Sequence, residues 1–508
     1  MDSIRNNTFN NSKSTTSNSK LNSNIGSTNI DKPKVLSTNK KSAKKRQYTT
    51  SPEEAFSCII VNTIEELNNY LSTIKDYNNI IENEGLNKID YLIEKSFNIK
   101  YYNNFVPENQ DYNDFKIKGY EQLKVFIFLT PITWFPLFKI SYKSKQEDSD
   151  DIQELLLNTF NNNYLNTNEE LFKTELNKDL FDSQSILSEC QQINSEKISD
   201  EVNLKVYLFK CPEEKNNHYF HVNLQGIIPL FIQAASEIPL QYNHWFYYLL
   251  IKETRSLKNN TSNKNEDNNI INKYSLVGFS SLARFHMSIN TYRSMISQFF
   301  IYPEFQRNNY GFKLLYSIKI NEALSEKCID ISTEDPADEY IYLRDAVLFK
   351  LFILYYKEKL QIKNINIGNI KSIDDYNALS LTEEDIKIIK TKHKISKNLI
   401  RRLEIITKNI LINSNKELES IFYENLYDHL MTINKELFID LNSDRNPVII
   451  FEDDKTSKMI KSKDSLQEKS LTSNINIVSN LQKYSDEFNS DIDIIRQRCN
   501  KILNELTS

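Results

Sequence analysis

The sequence predicts an α/β protein, in which an α+β fold with a mixed sheet is followed by a helical region. Runs of aromatic and β-branched residues, which are typical of strands, recur through roughly the first 350 residues and alternate with stretches of helical periodicity. Beyond Phe352 the helical periodicity continues and the strand signal stops. At 508 residues, the chain is long enough for about two to four domains.

The most informative stretch is Arg293–Lys350, whose sequence predicts, in order, a strand, a turn, a helix, a second strand and a second helix. Ser294–Tyr302 carries no charge and is rich in aromatic and β-branched residues, which predicts a buried strand that Pro303 ends. The turn Gln306–Gly311 leads directly into a predicted helix, Phe312–Lys327. Because the first N–H groups of a helix lie at its positive end, this junction is predicted to bind phosphate.

Composition and patterning divide the chain into six segments. They are a disordered basic tail (1–48), a small N-terminal α/β domain (49–145), a linker with an insertion (146–201), a central mixed-sheet domain (202–352), an all-helical C-terminal domain (353–452) and a polar tail with a possible helix (453–508).

The N-terminal domain is predicted to contain a strand at Phe56–Asn62, a helix at Ile64–Lys75 and a buried hairpin within Leu123–Tyr142. The hairpin includes the uncharged run Val125–Phe138. That run is too short to cross about 30 Å of hydrocarbon, and its two prolines suit a turn better than a helix interior. We therefore expect no membrane span here.

The later elements follow from the same patterns. A helix is predicted at Asp150–Phe160, followed by a poorly ordered insertion up to residue 200. The central domain is expected to contain strands at Val202–Phe209, Trp245–Ile251, Tyr274–Phe285 and Lys327–Thr333, a helix at Gly226–Ser236, and a polar loop over 253–272. The C-terminal part is expected to contain helices at Ser396–Ile412, Asn415–Phe438 and Ile475–Leu506.

Charge is distributed unevenly along the chain. Residues 1–46 hold ten Lys and Arg against two Asp, so they carry a charge of +8 and the rest of the chain carries −13. The tail has too few apolar residues to fold and is predicted to be disordered. Its basic end, Lys40–Arg46, suits a nuclear import signal, a nucleic-acid contact or a solvated tail equally. An acidic body favours encounter with a basic peptide.

Other features exclude several classes of protein. The polar N-terminus has no apolar segment of the kind that secretory signals contain. The five cysteines are widely separated, which predicts neither a zinc site nor a disulfide framework, and a reduced intracellular compartment fits this pattern. The histidines, including His218 and His221, have no metal-ligand residues at suitable spacing, so we expect no metal.

Several stretches together resemble a known family. The turn and helix beginning at Gln306 resemble the core motif of the GNAT superfamily of N-acetyltransferases. More narrowly, the chain resembles the catalytic subunit of type B histone acetyltransferases over roughly residues 50–440. The stretches that carry this resemblance are GYEQLKVFIF at Gly119, FIQAASEIPLQYNHWFYYLLI at Phe231, LVGFSSLARF at Leu276, SQFFIYPEFQRNNYG at Ser297, DISTEDPADEYIYLRD at Asp330 and SKNLIRRLEIITKNIL at Ser396.

The resemblance implies a function for the whole chain. Residues 49–145 would form the family's N-terminal domain and 202–352 the catalytic domain that binds acetyl-CoA. The implied activity is transfer of acetyl from acetyl-CoA to lysines on the tail of free, non-nucleosomal histone H4, by direct attack in a ternary complex. A WD-repeat histone-binding subunit is the implied partner, and nucleus and cytoplasm are the implied locations. We expect neither membrane association nor direct DNA binding by the folded domains.

The resemblance also assigns residues to the site. The residues implied to bind acetyl-CoA are Phe299, Phe300, Ile301, Gln306, Arg307, Asn308, Asn309, Tyr310, Gly311 and Phe312. Trp245 and Phe285 fall on positions near the peptide groove, although an aromatic residue in a strand more often serves the core. Asp111 and Asp114 lie in an acidic loop before the predicted hairpin. This loop either contacts a basic peptide or is an ordinary solvated loop.

Acetylation of a lysine requires a base, because the ammonium group must lose a proton before its nitrogen can attack. Glu334, where a strand ends beside the cofactor turn, is the expected catalytic base, and the family's matching Glu-Asp pair points to it as well. Asp335 is the second candidate. An alternative for Asp335 and Pro336 is purely structural, with Asp335 as the N-cap and Pro336 at the first position of the next helix.

Two residues depart from the family pattern and leave alternatives open. Asn309 stands where the motif expects a glycine with positive φ, which asparagine tolerates better than most residues. Gln233 stands where the family commonly has a further carboxylate, and glutamine cannot act as a base. The chain could therefore be a histone-escort module with weak or lost acetyl-CoA binding. A third hypothesis is a GNAT enzyme that acetylates other protein amines, such as an N-terminus.

Overall fold

The computed structural model describes residues 47–79, 86–102, 105–106, 111–160, 164–210, 218–233, 235, 237–238, 244–257, 270–362, 370–412, 415–426, 490, 494–496 and 498–504. Residues 1–46 of the predicted disordered tail (1–48) and residues 427–438 of the predicted helix Asn415–Phe438 lie outside these ranges. None of the helices described is long and apolar enough to span a membrane.

The N-terminal part forms a small α/β layer. Its elements are β1 (Thr49–Thr50), α1 (Pro52–Ala55), β2 (Phe56–Ile60), α2 (Ile64–Asn79), α3 (Leu86–Lys95), β3 (Phe97–Asn98), β4 (Ile117–Lys118), β5 (Tyr120–Glu121), β6 (Lys124–Leu129), β7 (Pro136–Ser141) and β8 (Ser144–Lys145). A four-stranded sheet has the order β3-β2-β6-β7, with β2 parallel to β6. The predicted first strand, first helix and buried hairpin β6–β7 are confirmed.

The central region contains the main sheet. Its elements are α4 (Ile152–Thr159), α5 (Glu169–Phe181), α6 (Ser183–Ser188), β9 (Gln191–Lys197), β10 (Val202–Lys210), α7 (His218–Ile227), β11 (Trp245–Leu257), β12 (Ile270–Ser288), β13 (Thr291–Ile301), α8 (Tyr310–Ala323), β14 (Cys328–Thr333) and α9 (Asp338–Ile362). The strand order is β14-β13-β12-β11-β10-β9. Only the β13–β14 pair is parallel, so the predicted mixed sheet is confirmed.

The predicted poorly ordered insertion after residue 160 is wrong. Residues 169–197 form α5, α6 and β9, and on α5 the side chains of Phe172 and Leu176, one helical turn apart, are fully buried. The Asp179 carboxylate accepts hydrogen bonds from the backbone N–H groups of Ile132 and Thr133 at 2.8 Å each, which anchors the β6–β7 turn. The segment is mostly polar and rich in asparagine, so its few buried positions do not produce a recognisable hydrophobic pattern in the sequence.

Two further predictions need correction. A helix was predicted at Gly226–Ser236. The structure instead has α7, which ends at Ile227, followed by a 3-10 turn at Ile228–Leu230. Pro229 explains the difference, because a proline within a helix removes a hydrogen-bond donor and clashes with the preceding turn. The polar loop predicted over 253–272 is too long, since β11 continues to Leu257 and β12 starts at Ile270.

One buried polar cluster explains why polar sequence continues as strand in β11. Glu253 is 2% exposed, and its carboxylate accepts hydrogen bonds from Lys205, Asn203 and Tyr274 at 2.9–3.0 Å. Although burial opposes ionisation, these donors lower the pKa of Glu253 on balance. The strand can therefore carry a charged residue in its interior.

Both faces of the main sheet are buried. Adjacent residues of a strand point to opposite faces, and in β11 Tyr248 and Leu250 join the core that contains α8 and α9. Their neighbours Tyr247 and Leu249 join a second core made with α7 and the N-terminal part. The sheet therefore separates two cores that share its strands.

The C-terminal part is helical, as predicted. Its elements are α10 (Ile373–Ala378), α11 (Glu383–His393) and α12 (Lys397–Leu411), residues 416–426 are also helical, and no strand follows β14 among the residues described. Within the predicted helix Ile475–Leu506, the described residues 494–496 and 498–504 are helical, and Ile495, Cys499 and Ile502 are buried. Lys394, after α11, accepts a hydrogen bond at its carbonyl from the Ile331 N–H, which covers the edge of β14.

Candidate functional site

The parallel strands β13 and β14 separate partway along their length. Their pairing runs to Ile296 opposite Thr333, and the Glu334 N–H makes the last backbone bond, to the Ile296 carbonyl at 2.9 Å. Strand β13 continues to Ile301 without β14 and stays paired with β12 on its other side. Within the described part of the chain, no strand pairs with the β14 side of residues 297–301, so their backbone lines an open gap between β13 and β14.

A β-bulge lies at the start of this gap. Ser281 of β12 is opposite Gln298 and Leu282 is opposite Ile296, which leaves Ser297 without an opposite residue. The Gln298 N–H donates to the Ser281 hydroxyl at 3.0 Å. Bulges re-aim side chains and occur often beside active sites.

The turn after β13 has the predicted left-handed conformation. Asn309, the N-cap of α8, has φ 62° and ψ 11°, and Arg307 has φ 64°. The helix begins at Tyr310, two residues before the predicted start, and no side chain caps its N-terminus. The first-turn N–H groups therefore remain directed toward the end of the helix, where a phosphate could accept their hydrogen bonds.

Side chains within the turn hold it together. Gln306 donates from Nε2 to the Ile301 carbonyl at 2.9 Å, and Asn308 donates from Nδ2 to the Phe305 and Gln306 carbonyls at 3.3 and 3.1 Å. A Cβ on Gly311 would lie 3.3 Å from Cδ2 of Leu343, so the helix approaches α9 closely at this glycine. Phe312 is almost fully buried behind it.

The three residues of β13 expected to follow the acetyl-CoA arm alternate in direction. Phe300 is 5% exposed and packs against Trp134 and Phe231, with ring centroids 5.9 and 5.1 Å away. Phe299 and Ile301 are partly buried against the opposite core, where the Phe299 ring lies 5.4 Å from that of Tyr340. Their side chains hold the strand in place, while the side of the strand away from β12 faces the gap, where Gln306 already occupies the Ile301 carbonyl.

Glu334 lies where the two strands separate. Its side chain is exposed, and its Oε2 accepts a hydrogen bond from the Ser297 hydroxyl at 2.6 Å. Asp335 is also exposed and has φ 38°. The proposed N-cap role of Asp335 is wrong, because α9 begins at Asp338 and the Tyr340 and Ile341 N–H groups donate to the Ala337 carbonyl.

Trp245 and Phe285 lie near each other at one end of the sheet. The ring of His244 is 5.7 Å from Trp245 and 5.6 Å from Phe285, and Phe285 is 40% exposed. Burial, with a contribution from nearby His286, lowers the pKa of His244. The three rings form an accessible aromatic surface with an uncharged histidine in its centre at neutral pH.

Asp111 and Asp114 make local contacts. Asp111 caps the short 3-10 turn Tyr112–Asp114 by accepting from the Asn113 N–H at 2.9 Å. The Tyr112 ring stacks on Tyr102 in the N-terminal part, with centroids 4.2 Å apart. These contacts give the loop a defined shape and do not join the two aspartates to the gap.

Sequence reasoning missed a buried network beneath the bulge. The Gln225 and Gln298 side-chain amides bond each other at 2.9 and 3.2 Å, and Gln225 also donates to the Tyr247 hydroxyl at 3.0 Å. Tyr247 in turn contacts Nδ1 of His221 at 2.7 Å. His221 and Gln225 are one helical turn apart on α7, and this spacing was the available signal.

The same network fixes the segment that follows α7. The Ile238 N–H donates to Oε1 of Gln225 at 3.0 Å, and the Ile238 carbonyl lies 2.9 Å from Nε2 of His221. Gln233, earlier in this segment, is exposed. The segment before β11 is thereby tied to the strand that carries the bulge.

Comparison with known proteins gives consistent results. The family described as "Histone acetyl transferase HAT1 N-terminus" matches residues 90–233. Proteins named histone acetyltransferase type B catalytic subunit are 25% identical over 240 residues in Rattus norvegicus (46% of this chain, 54% of the rat protein) and 27% identical over 246 residues in Candida albicans (46% and 56%). A Dictyostelium discoideum protein of that name is 24% identical over 295 residues (57% and 59%).

This chain resembles the catalytic subunits of type B histone acetyltransferases. It spans about half the length of the curated type B subunits that it matches. The matched family segment covers Asp111, Asp114 and Gln233, and it ends before the gap between β13 and β14. The geometry of that gap is therefore an observation beside the match to the family's N-terminal model.

Proposed function

We propose that this chain is an acyltransferase that moves acetyl from acetyl-CoA to lysine side chains of histones. The observation that carries the proposal is the separation of β13 and β14 beside the uncapped start of α8, with Glu334 at the point of separation. The names of the related proteins supply the substrate class.

The residues at the gap fit the shape and charge of acetyl-CoA. The α8 N-terminus offers N–H groups to the pyrophosphate, and the free side of residues 297–301 offers backbone groups to the amide-containing arm. Asn309 adopts the left-handed conformation that a glycine would adopt, so its presence leaves this cradle intact. When bound, acetyl-CoA would supply an acetyl group activated as a thioester.

Glu334 would accept the proton that the substrate lysine must lose. Neutral pH lies about three units below the reference pKa of a lysine, so populating the reactive, uncharged amine costs about 4 kcal/mol. The amine nitrogen then forms a bond to the acetyl carbon as the carbon–sulfur bond breaks, and CoA leaves as the thiol. Asp335, next to Glu334 and equally exposed, is the second candidate for the base.

The substrate side would include the aromatic surface of Trp245 and Phe285. The exposed Phe285 ring and the partly buried Trp245 ring can pack on the aliphatic stems of basic residues and interact with their cationic ends. Asp111 and Asp114 would add negative charge at a separate place in the N-terminal part. The excess of acidic residues beyond residue 46 supports attraction of a basic tail.

We further propose free histone H4 as the substrate, a WD-repeat histone-binding protein as the partner, and nucleus and cytoplasm as the locations. These finer statements rest on the family resemblance of the motifs that begin at Phe231 and Ser297. The basic cluster Lys40–Arg46 supports nuclear import.

The decisive experiment measures transfer of labelled acetyl to free histones and to nucleosomes, with mass mapping of the acetylated residues. We expect free H4 to be labelled more strongly than nucleosomes. The Glu334→Gln variant should abolish this labelling. Labelling of N-terminal amines instead would favour the alternative of a GNAT enzyme with another substrate. Absence of labelling together with undetectable acetyl-CoA binding by calorimetry would favour the escort module.

A further inference from the structure

We infer that Ser297 is a positioning residue, which holds the Glu334 carboxylate at the gap through its hydroxyl group. This inference rests on the proposed function of Glu334. Ser297 is the bulged residue of β13, and its Oγ lies 2.6 Å from Oε2 of Glu334. Glu334 follows the last residue of β14 and is exposed, so without this contact its flexible side chain would sample several rotamers.

The bulge aims Ser297 at Glu334. In a regular ladder the pairing of β12 with β13 would continue in step, whereas here Ser281 is opposite Gln298 and Leu282 is opposite Ile296. The extra residue, Ser297, lies on the strand at the point where β14 stops pairing. Its hydroxyl consequently meets the first side chain beyond β14.

Buried hydrogen bonds keep the bulge in register. The Ser281 hydroxyl accepts the Gln298 N–H, and the Gln298 side chain, 3% exposed, is paired with the Gln225 amide. Slippage of β13 by one residue would bring Ser297 to the buried side and remove both sets of bonds. The position of Ser297 is thus determined by groups on α7, β12 and β13.

The test compares steady-state kinetics of three single variants on a histone peptide. Ser297→Ala should lower kcat by roughly 10- to 100-fold, the factor that corresponds to losing a hydrogen bond to a charged group. Its KM for acetyl-CoA should stay within about twofold, because the hydroxyl is not part of the turn. Ser297→Thr, which keeps a hydroxyl on a residue suited to strands, should recover most of the activity.

Ser332→Ala is the matched control. Ser332 lies on β14, and its hydroxyl donates to the Ser294 carbonyl at 3.4 Å rather than to Glu334. Its removal should leave kcat within about twofold of the unaltered protein, since that long bond is weak. In the double variant Ser297→Ala with Glu334→Gln, the loss should equal that of Glu334→Gln alone, because residues that act as a unit are not additive.

Full activity of Ser297→Ala, or a loss that adds completely to that of Glu334→Gln, would overturn the inference. If the unaltered protein transfers no acetyl to any amine, the proposed function fails separately. In that case a crystal structure of Ser297→Ala decides the positioning role. If the Glu334 carboxylate moves away from residue 297 in that structure, the positioning role is supported. If the carboxylate keeps its place without the hydroxyl, the positioning role is contradicted.

Discussion

Two exposed carboxylates, Glu334 and Asp335, follow β14, and Glu334 accepts a hydrogen bond from Ser297 on the neighbouring strand. Exposure gives a substrate access, and the Ser297 hydroxyl gives the carboxylate a fixed direction. Asp335 lacks the capping role that would have explained it, and its φ of 38° is a strained conformation for a residue other than glycine. Strain at this position is consistent with a functional constraint on the segment that joins β14 to α9.

For Glu334→Gln we expect kcat to fall by roughly 10² to 10⁴, the usual contribution of a positioned acid–base group. Acetyl-CoA affinity should change by no more than a few fold, because the carboxylate is outside the phosphate turn. Steady-state kinetics and calorimetry measure the two quantities. Near-normal turnover would remove Glu334 from its role, and Asp335→Asn would then be the next variant.

Asn309 provides a test of the phosphate turn. Because its φ is 62°, glycine should be accommodated without strain, and Asn309→Gly should tighten acetyl-CoA binding or leave it unchanged. Asn309→Val should weaken binding strongly, since a β-branched residue in left-handed geometry costs at least about 1–2 kcal/mol. Calorimetric titration compares both variants, and equal affinity for valine and asparagine would show that the turn does not bind the cofactor.

At the scale of single elements, α11 has an unusual end. It finishes at His393, Lys394 adopts left-handed geometry, and the Lys394 carbonyl receives the N–H of Ile331 on β14. A histidine at a helix C-terminus ordinarily favours its charged form. Here burial dominates, and with nearby Lys392 it lowers the pKa of His393 to about 4, against a smaller opposing effect of Glu358.

His393 should therefore make stability depend on pH. An unfolded histidine titrates near 6.5, so between about pH 6.5 and 4 the unfolded chain binds a proton that the folded chain does not. Stability contributed by neutral His393 is present above pH 6.5 and is lost as the pH falls through this range. Urea unfolding at pH 7 and pH 5 should show a smaller loss for His393→Gln than for the unaltered protein, and equal losses would contradict this.

Particular elements show what the sequence could predict. Strong aromatic runs predicted β11 and β13, and alternation predicted β10, because strand patterns survive where both neighbours in the sheet are regular. Asparagine in left-handed geometry at the phosphate turn was also predictable, since the residue type and the motif agree. The prediction of a helix at Gly226–Ser236 was wrong because Pro229 interrupts that segment. Helix α5 was not predicted, because few of its residues are buried and its hydrophobic periodicity is weak.

The contact between Ser297 and Glu334 could not be predicted from the sequence. It joins residues 37 positions apart and depends on a one-residue bulge, which leaves no periodic signal. The Gln225–Gln298 pair spans 73 positions and has the same limitation. Sequence patterns report local preferences, whereas these contacts depend on the register between strands and helices that are distant in the chain.

At the scale of the whole molecule, the net positive charge lies in the first 46 residues, which carry +8 against −13 for the rest of the chain. Deletion of residues 1–46 should leave turnover of a short histone peptide unchanged, because that segment lacks the apolar residues needed to build a pocket. The same assay at equal enzyme concentration compares the two forms of the protein. A large loss of turnover would show that the basic tail belongs to the site.

The two-sided burial of the main sheet limits how the chain can be divided. A fragment limited to 202–352 would lack Trp134, whose ring now lies 6.0 Å from that of Phe279 and 5.9 Å from that of Phe300, and would expose part of these two side chains. An apolar surface of that kind promotes aggregation. The segment with the phosphate turn is therefore a poor candidate for expression on its own or for transplantation as a self-sufficient catalytic unit. Insertions in the segments that join the N-terminal part to the sheet are tolerable only where they leave the packing between these two parts intact.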